Sequence, residues 1–256
     1  MNYYNEHSKK NSAWLRELVC SGLISDGFVD DRDIQDVRPE DLSGYDQIHL
    51  FAGIGGWDEA LRIAGWPKGR KVWTASFPCQ PFSVGGQMAG FDDSRHLWPV
   101  GFFLIKECSP PIIFGEQVEN AVQMGWLDRV FDDLEGIGYS CAASVLRADG
   151  VGAPHRRRRL YWVASHADIQ GGEGLVENGG SCQIGQWNWR GQEDLQSLAR
   201  EPFLQTDRWP QPLVRSVDDG VQGRVDGCFA AGNAIVPQIA AIFVQAATEA
   251  IQLQLQ

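Results

Sequence analysis

Between residues 47 and 164, short apolar runs alternate with helix-patterned ones, and this alternation constrains the fold most. Residues 47–51 (QIHLF), 71–77, 110–115, 142–147 and 160–164 (LYWVA) read as strands. Residues 57–64, 97–106 and 126–137 carry helical spacing between them. Strands linked through helices need crossover connections, which put helices on both faces of a largely parallel sheet. At 256 residues the chain is long enough to bury such a core. Residues 1–44 read differently, as a polar lead-in with one short helix over 13–23 and an acid-rich stretch over 26–41.

The composition shifts at about Ser165. Residues 165–228 are rich in Gly, Gln and Trp, without a repeat, and read as an inserted module. Residues 229–256 open with a Gly-Asn turn and continue as an apolar helix that returns to the first domain. The expected organisation is an N-terminal extension (1–44), an α/β domain (45–164), a small module (165–228) and a returning helix (229–256).

Composition narrows the function classes. The net charge of -11 argues against a broadly basic, phosphate-binding surface. Positive charge is nevertheless concentrated at Arg156, Arg157, Arg158 and Arg159, so one basic cleft fits an acidic chain. No apolar run approaches the ~18 residues of a membrane span. The first residues lack the apolar core of a signal peptide. Six widely separated cysteines, without metal-ligand spacing, point to reduced thiols, a cytoplasmic location and no metal site.

Four short runs carry the chemistry. FAGIGG (51–56) stands between a strand and a helix; its glycines admit close approach of a ligand, and the helix start favours an anion. A tight structural turn explains that run equally well. In PCQPFS (78–83), Cys79 stands between Pro78 and Pro81 at a strand end, where α/β sheets hold ligands. A buried, inert thiol is the competing reading. The glycine-rich SVGGQMAG behind it suits a closing loop. HRRRR (155–159) runs into a strand, so Arg157 and Arg159 share one side. GNAIVP (232–237) precedes the last helix.

In this order, the four runs resemble the motifs of the DNA (cytosine-5) methyltransferase family. His155 stands where the family's Gln-x-Arg-x-Arg motif has its glutamine. The resemblance implies a Rossmann-like catalytic domain, with residues 165–228 as target-recognition module. It implies that Cys79 attacks carbon 6 of a flipped-out cytosine in DNA, and that Arg157 and Arg159 hold the base and the adduct. It implies S-adenosylmethionine as methyl donor, bound through Phe51, Gly53, Gly55, Gly56, Pro78 and Asn233. Gln80, Ser83, Gly85 and Gly86 would form the substrate loop. The family also uses a glutamate in a Glu-Asn-Val run. In GEQVENA, Glu119 matches by letter and Glu116 by its place directly after an apolar strand, which favours Glu116.

One departure stands out. Family members carry two further strands between the cofactor turn and the nucleophile, each ending in an acid that meets the adenosine half of the cofactor. Here no Asp or Glu lies between Glu59 and Asp92, so the sheet reads as shortened and cofactor binding as weak. That leaves three readings: methyl transfer, another outcome of the same adduct (deamination to uracil, or a different one-carbon donor), and a non-catalytic DNA-binding descendant. A partner chain or an oligomer would also account for the acidity and the small module.

Overall fold

The computed structural model describes residues 1–78, 97–151, 153, 157–166 and 234–251. The strands are β1 (Asn2–Asn5), β2 (Gly27–Asp30), β3 (Gln47–Leu50), β4 (Val72–Ala75), β5 (Ile112–Val118), β6 (Ser140–Arg147) and β7 (Arg158–Ser165). They form one seven-stranded sheet in the order β2-β1-β3-β4-β5-β7-β6. Strands β1 to β5 are parallel, and β7 runs antiparallel to both β5 and β6. The α/β, Rossmann-like class expected from the strand–helix alternation is thus present.

Helices cover both faces. The α-helices are α1 (Lys9–Cys20), α2 (Gly56–Ile63), α3 (Trp98–Cys108), α4 (Asn120–Gln123), α5 (Trp126–Glu135) and α6 (Pro237–Ala250). On one face Ile48, Leu50, Trp73, Ile113 and Trp162 pack against Leu104 of α3 and Leu127, Val130 and Phe131 of α5. On the other, Val72, Phe114, Tyr161 and Val163 meet Trp57 and Leu61 of α2 and Phe243 and Val244 of α6. Helix α6 lies within residues 229–256 and packs on α2. Gly115 permits the tightest of these contacts, because a Cβ there would lie 1.9 Å from the Trp162 indole. Among the described residues, no helix is long and apolar enough to cross a membrane.

Residues 1–44 are not an extension outside the fold. They supply β1, α1 and β2, and β1 pairs directly with β3 along Asn2↔Gln47 to Asn5↔Leu50. The expected shortening holds only for the stretch between the glycine turn and Pro78, which contains α2 and β4. If β1 and β2 followed β3 in sequence, the sheet would read 3-2-1-4-5-7-6, a plain outward winding from β3. The chain order is rotated: the flank that would follow β3 comes first.

A buried polar network holds this N-terminal flank in place. The Asn2 amide donates to Gln47 Oε1 (3.1 Å) and to Asp58 Oδ1 (3.0 Å). The Ser25 N–H donates to Asp58 Oδ2 at 3.0 Å, and the Tyr4 hydroxyl lies 3.0 Å from Oδ1. Asp58 on α2 therefore gathers β1 and the approach to β2 around one buried carboxylate. Leaving any one of these donors unpaired would cost about 1–3 kcal/mol. Below it, His49 stacks on Tyr4 at 5.0 Å, with Nδ1 2.8 Å from Thr74 Oγ1. Burial lowers the His49 pKa and keeps the ring neutral, against the opposing pull of Asp58.

Candidate active site

The glycine turn sits at the end of β3, beside the point where the sheet's winding reverses, which is where open α/β sheets bind ligands. Its backbone is unusual. Phe51 takes φ 54°, rare for a bulky side chain, and Gly53 and Gly55 follow at φ 58° and 84°. These left-handed steps fold the chain sharply into α2. The recess there is lined by Phe51, Gly53, Gly56, Trp57, Ser76 and Ile235. Ile235 presses on Gly56 so closely that a Cβ there would lie 2.8 Å from it. The end of the GNAIVP run thus meets the turn, whereas Asn233 lies outside the described residues.

An acid stands at this turn, and the sequence reading missed it. Glu6 follows β1, and its Oε2 accepts the Gly53 N–H at 2.8 Å. Its Oε1 accepts the Ser8 N–H at 2.9 Å. Burial raises the Glu6 pKa, while these two backbone donors work against that rise. The Asn11 side chain also bonds to Glu6, so of about four lone-pair sites three are occupied and one is left for a ligand hydroxyl. The absence of an acid between Glu59 and Asp92 thus does not leave the turn without one. This acid lies upstream of the turn in the chain, directly after β1. At the end of β2, Asp30 is occupied by Arg32 and Tyr3, and the next residue, Asp31, pairs with Lys9 and Arg16.

The second cluster lies at the far end of β5, on the β7 side. Antiparallel pairing sets Glu116 opposite Tyr161 and Val118 opposite Arg159. Glu116 is 6% exposed, and its Oε1 lies 3.0 Å from Arg159 Nε. Burial raises the Glu116 pKa to about 6; the charges of Arg159 and Arg157 oppose the rise. Burial, then Arg159, lowers the Arg157 pKa, and Glu116 resists. Glu119 is placed differently. It precedes α4 and pairs with Arg158 Nη2 at 2.8 Å on a more exposed surface. The structure thus brings Glu116, Arg157 and Arg159 together and leaves Glu119 outside that group.

Between the clusters runs the end of β4. The Phe77 ring packs on Phe51 (5.0 Å) and Trp98 (5.3 Å), and the Trp57 indole donates to Ser76 Oγ at 3.0 Å. Pro78 ends this described stretch. Cys79, Gln80, Ser83, Gly85, Gly86 and His155 lie outside the described residues, as does the module from residue 167 to 228.

Residues 66–179 match the family model for C-5 cytosine-specific DNA methylase. Over that segment the chain is similar to the C-5 cytosine-specific DNA methylases. It is 29% identical over 176 residues to the type II methyltransferase M.HhaI of Haemophilus parahaemolyticus, covering 52% of this chain and 53% of that relative. It is 30% identical over 129 residues to M.CviJI of Paramecium bursaria Chlorella virus IL3A, covering 50% and 34%. The chain thus spans about half or less of these curated relatives. Among solved structures it is similar to the Entamoeba histolytica methyltransferase EhMeth, with TM-score 0.41 and 14% identity over 71% of this chain and 57% of that one. It is also similar to S. pombe Dnmt2, with TM-score 0.40 and 14% identity over 64% and 48%. The matched segment includes β4, β5, β6 and β7, and hence Glu116, Arg157 and Arg159.

Proposed function

We propose that this chain is a DNA cytosine C5-methyltransferase whose cofactor site is completed by its own N-terminal flank. The observation that carries the reading is the buried Glu116–Arg159 pair on β5 and β7, one strand over from the segment leading into Cys79. Carbon 5 of cytosine becomes nucleophilic only after something adds at carbon 6. A thiolate suits that step because it adds near neutral pH and can leave again. The base must be flipped out of the duplex for Cys79 to reach it.

In this mechanism the Cys79 sulfur bonds to carbon 6 while Glu116 gives ring N3 a proton or hydrogen bond. A carboxyl group with a pKa of about 6 holds and releases a proton near neutral pH. Arg159 would hold the carbonyl oxygen O2, with Arg157 supporting the adduct. S-adenosylmethionine, when bound, supplies an electrophilic methyl group. Loss of the carbon 5 proton then expels the Cys79 thiolate and restores the ring. Residues 165–228 would read the target sequence, with Trp187, Trp189, Arg190, Arg208 and Trp209 suited to stacking and groove contact.

Phe51, Gly53, Gly55, Gly56, Pro78 and Asn233 would line the cofactor site, with Glu6 taking a ribose hydroxyl. The fit rests on the Glu6 carboxylate, held by Gly53, Ser8 and Asn11 with about one acceptor site left over. It removes the motive for the deamination reading, which was the lack of such an acid. A charge-assisted hydrogen bond is worth roughly 1.5–3 kcal/mol, or about a factor of 10 to 100 in affinity. Calorimetric titration of the chain with S-adenosylmethionine should therefore show binding that Glu6→Gln weakens by about 10- to 100-fold. Absence of binding by the unaltered chain would return the case to another use of the adduct. Equal affinity in Glu6→Gln would remove Glu6 from the cofactor site.

A further inference from the structure

The β4–β5 ladder is shorter than the two strands need to be to deliver their end residues. Its last parallel pair is Ala75↔Gly115, yet the residues that matter on both sides lie beyond it. Continuing that register by two residues puts Phe77 opposite Gln117. No backbone ladder bond joins them in the pairing, but a side chain does. The Gln117 amide nitrogen donates to the Phe77 carbonyl at 3.3 Å. The same side chain accepts the Val118 N–H through Oε1 at 2.9 Å, which fixes its orientation. Gln117 is 2% exposed, so water is not available to replace either bond.

The carbonyl it holds is a consequential one. It belongs to the Phe77–Pro78 peptide, and proline has no N–H with which to carry a ladder onward. Without Gln117, that peptide would be placed by the hydrogen bonds of Ser76 to Leu50 and Trp57 and by the packing of the Phe77 ring against Phe51, Trp98 and Trp126, none of which holds its carbonyl. Side-chain alternation along β5 turns Gln117 away from the face that carries Glu116. Gln117 therefore acts on the peptide ahead of Cys79 and not on a base held by Glu116.

We propose that Gln117 is a positioning residue for the nucleophile: its side-chain amide replaces the missing rung between β4 and β5 and sets the direction in which the chain enters Cys79. This rests on the reading of Cys79 as nucleophile. Small displacements of a reacting group cost rate steeply, whereas binding contacts made elsewhere are untouched. The effect should therefore appear in adduct formation and not in cofactor affinity.

The test uses the full chain and DNA containing 5-fluorocytosine, with the single-turnover rate of adduct formation as readout beside the S-adenosylmethionine dissociation constant. Gln117→Leu keeps the volume and removes the donor. It should slow adduct formation tenfold or more while cofactor affinity stays within about twofold. Gln117→Asn keeps an amide donor and should recover most of the rate. Wild-type rates in Gln117→Leu would overturn the proposal. So would loss of cofactor binding together with rate in Gln117→Leu, unrelieved in Gln117→Asn, since that pattern marks a purely structural role. Absence of any adduct with the wild-type chain would remove the nucleophile reading itself, and this proposal with it.

Discussion

Cys79→Ala is expected to abolish the denaturation-resistant complex that the wild-type chain forms with 5-fluorocytosine DNA and S-adenosylmethionine. Fluorine at carbon 5 cannot leave as a proton does, so the adduct stops before elimination and remains covalent. The argument for this thiol begins with the strand that leads to it. Strand β4 enters the sheet next to the glycine turn, and Phe77 is wedged between Phe51 and Trp98. Pro78 then hands the chain to Cys79 with a restricted backbone. The cysteines among the described residues are poor alternatives. Cys20 is exposed at the last residue of α1 and is not part of the Glu116–Arg159 cluster. Burial raises the pKa of Cys108, which disfavours its thiolate. Cys141 lies near the start of β6, whereas the base-side cluster lies by that strand's other end. Trapping that survives in Cys79→Ala would place the covalent bond elsewhere.

Glu116→Gln should lower the methylation rate by about 10²–10⁴-fold, the usual range for a general acid–base group. Glu119→Gln should cost less than about tenfold. The two glutamates are three residues apart but occupy different environments. Glu116 is inside the sheet, and burial holds its pKa at about 6 against the charges of Arg159 and Arg157. Glutamine has nearly the same shape, yet it has no proton to give and leaves two arginines without their counter-charge. Glu119 makes an exposed pair with Arg158, and such pairs contribute about 0–1 kcal/mol. Single-turnover rates for both variants decide the matter. Reversed losses would move the acid to Glu119.

The strands from β3 onward were legible because their apolar runs are compact and bounded by turn residues. The same holds for α2, α5 and α6, whose buried positions follow helical spacing. Choosing Glu116 over Glu119 required only that it follow an apolar strand, and β5 does run through it to Val118. The N-terminal flank was not legible, for a physical reason. All four residues of β1, NYYN, are buried, so no apolar–polar alternation marks the strand. Its two asparagines are acceptable inside because Gln47 and Asp58, dozens of residues later, accept from Asn2, and the Arg32 carbonyl accepts from Asn5. Polarity there signals a satisfied network, not solvent. Glu6, the acid proposed for the cofactor, escaped notice for a related reason: an acid was sought after the glycine turn, and Glu6 precedes the turn in the chain.

The central claim is that the covalent site and the rebuilt cofactor pocket work together to methylate cytosine. Mass spectrometry of nucleosides from DNA incubated with the chain, with and without S-adenosylmethionine, tests it most directly. The account predicts 5-methyldeoxycytidine that appears only when S-adenosylmethionine is present. Deoxyuridine as the main product, or unchanged deoxycytidine with the cofactor supplied, would contradict it.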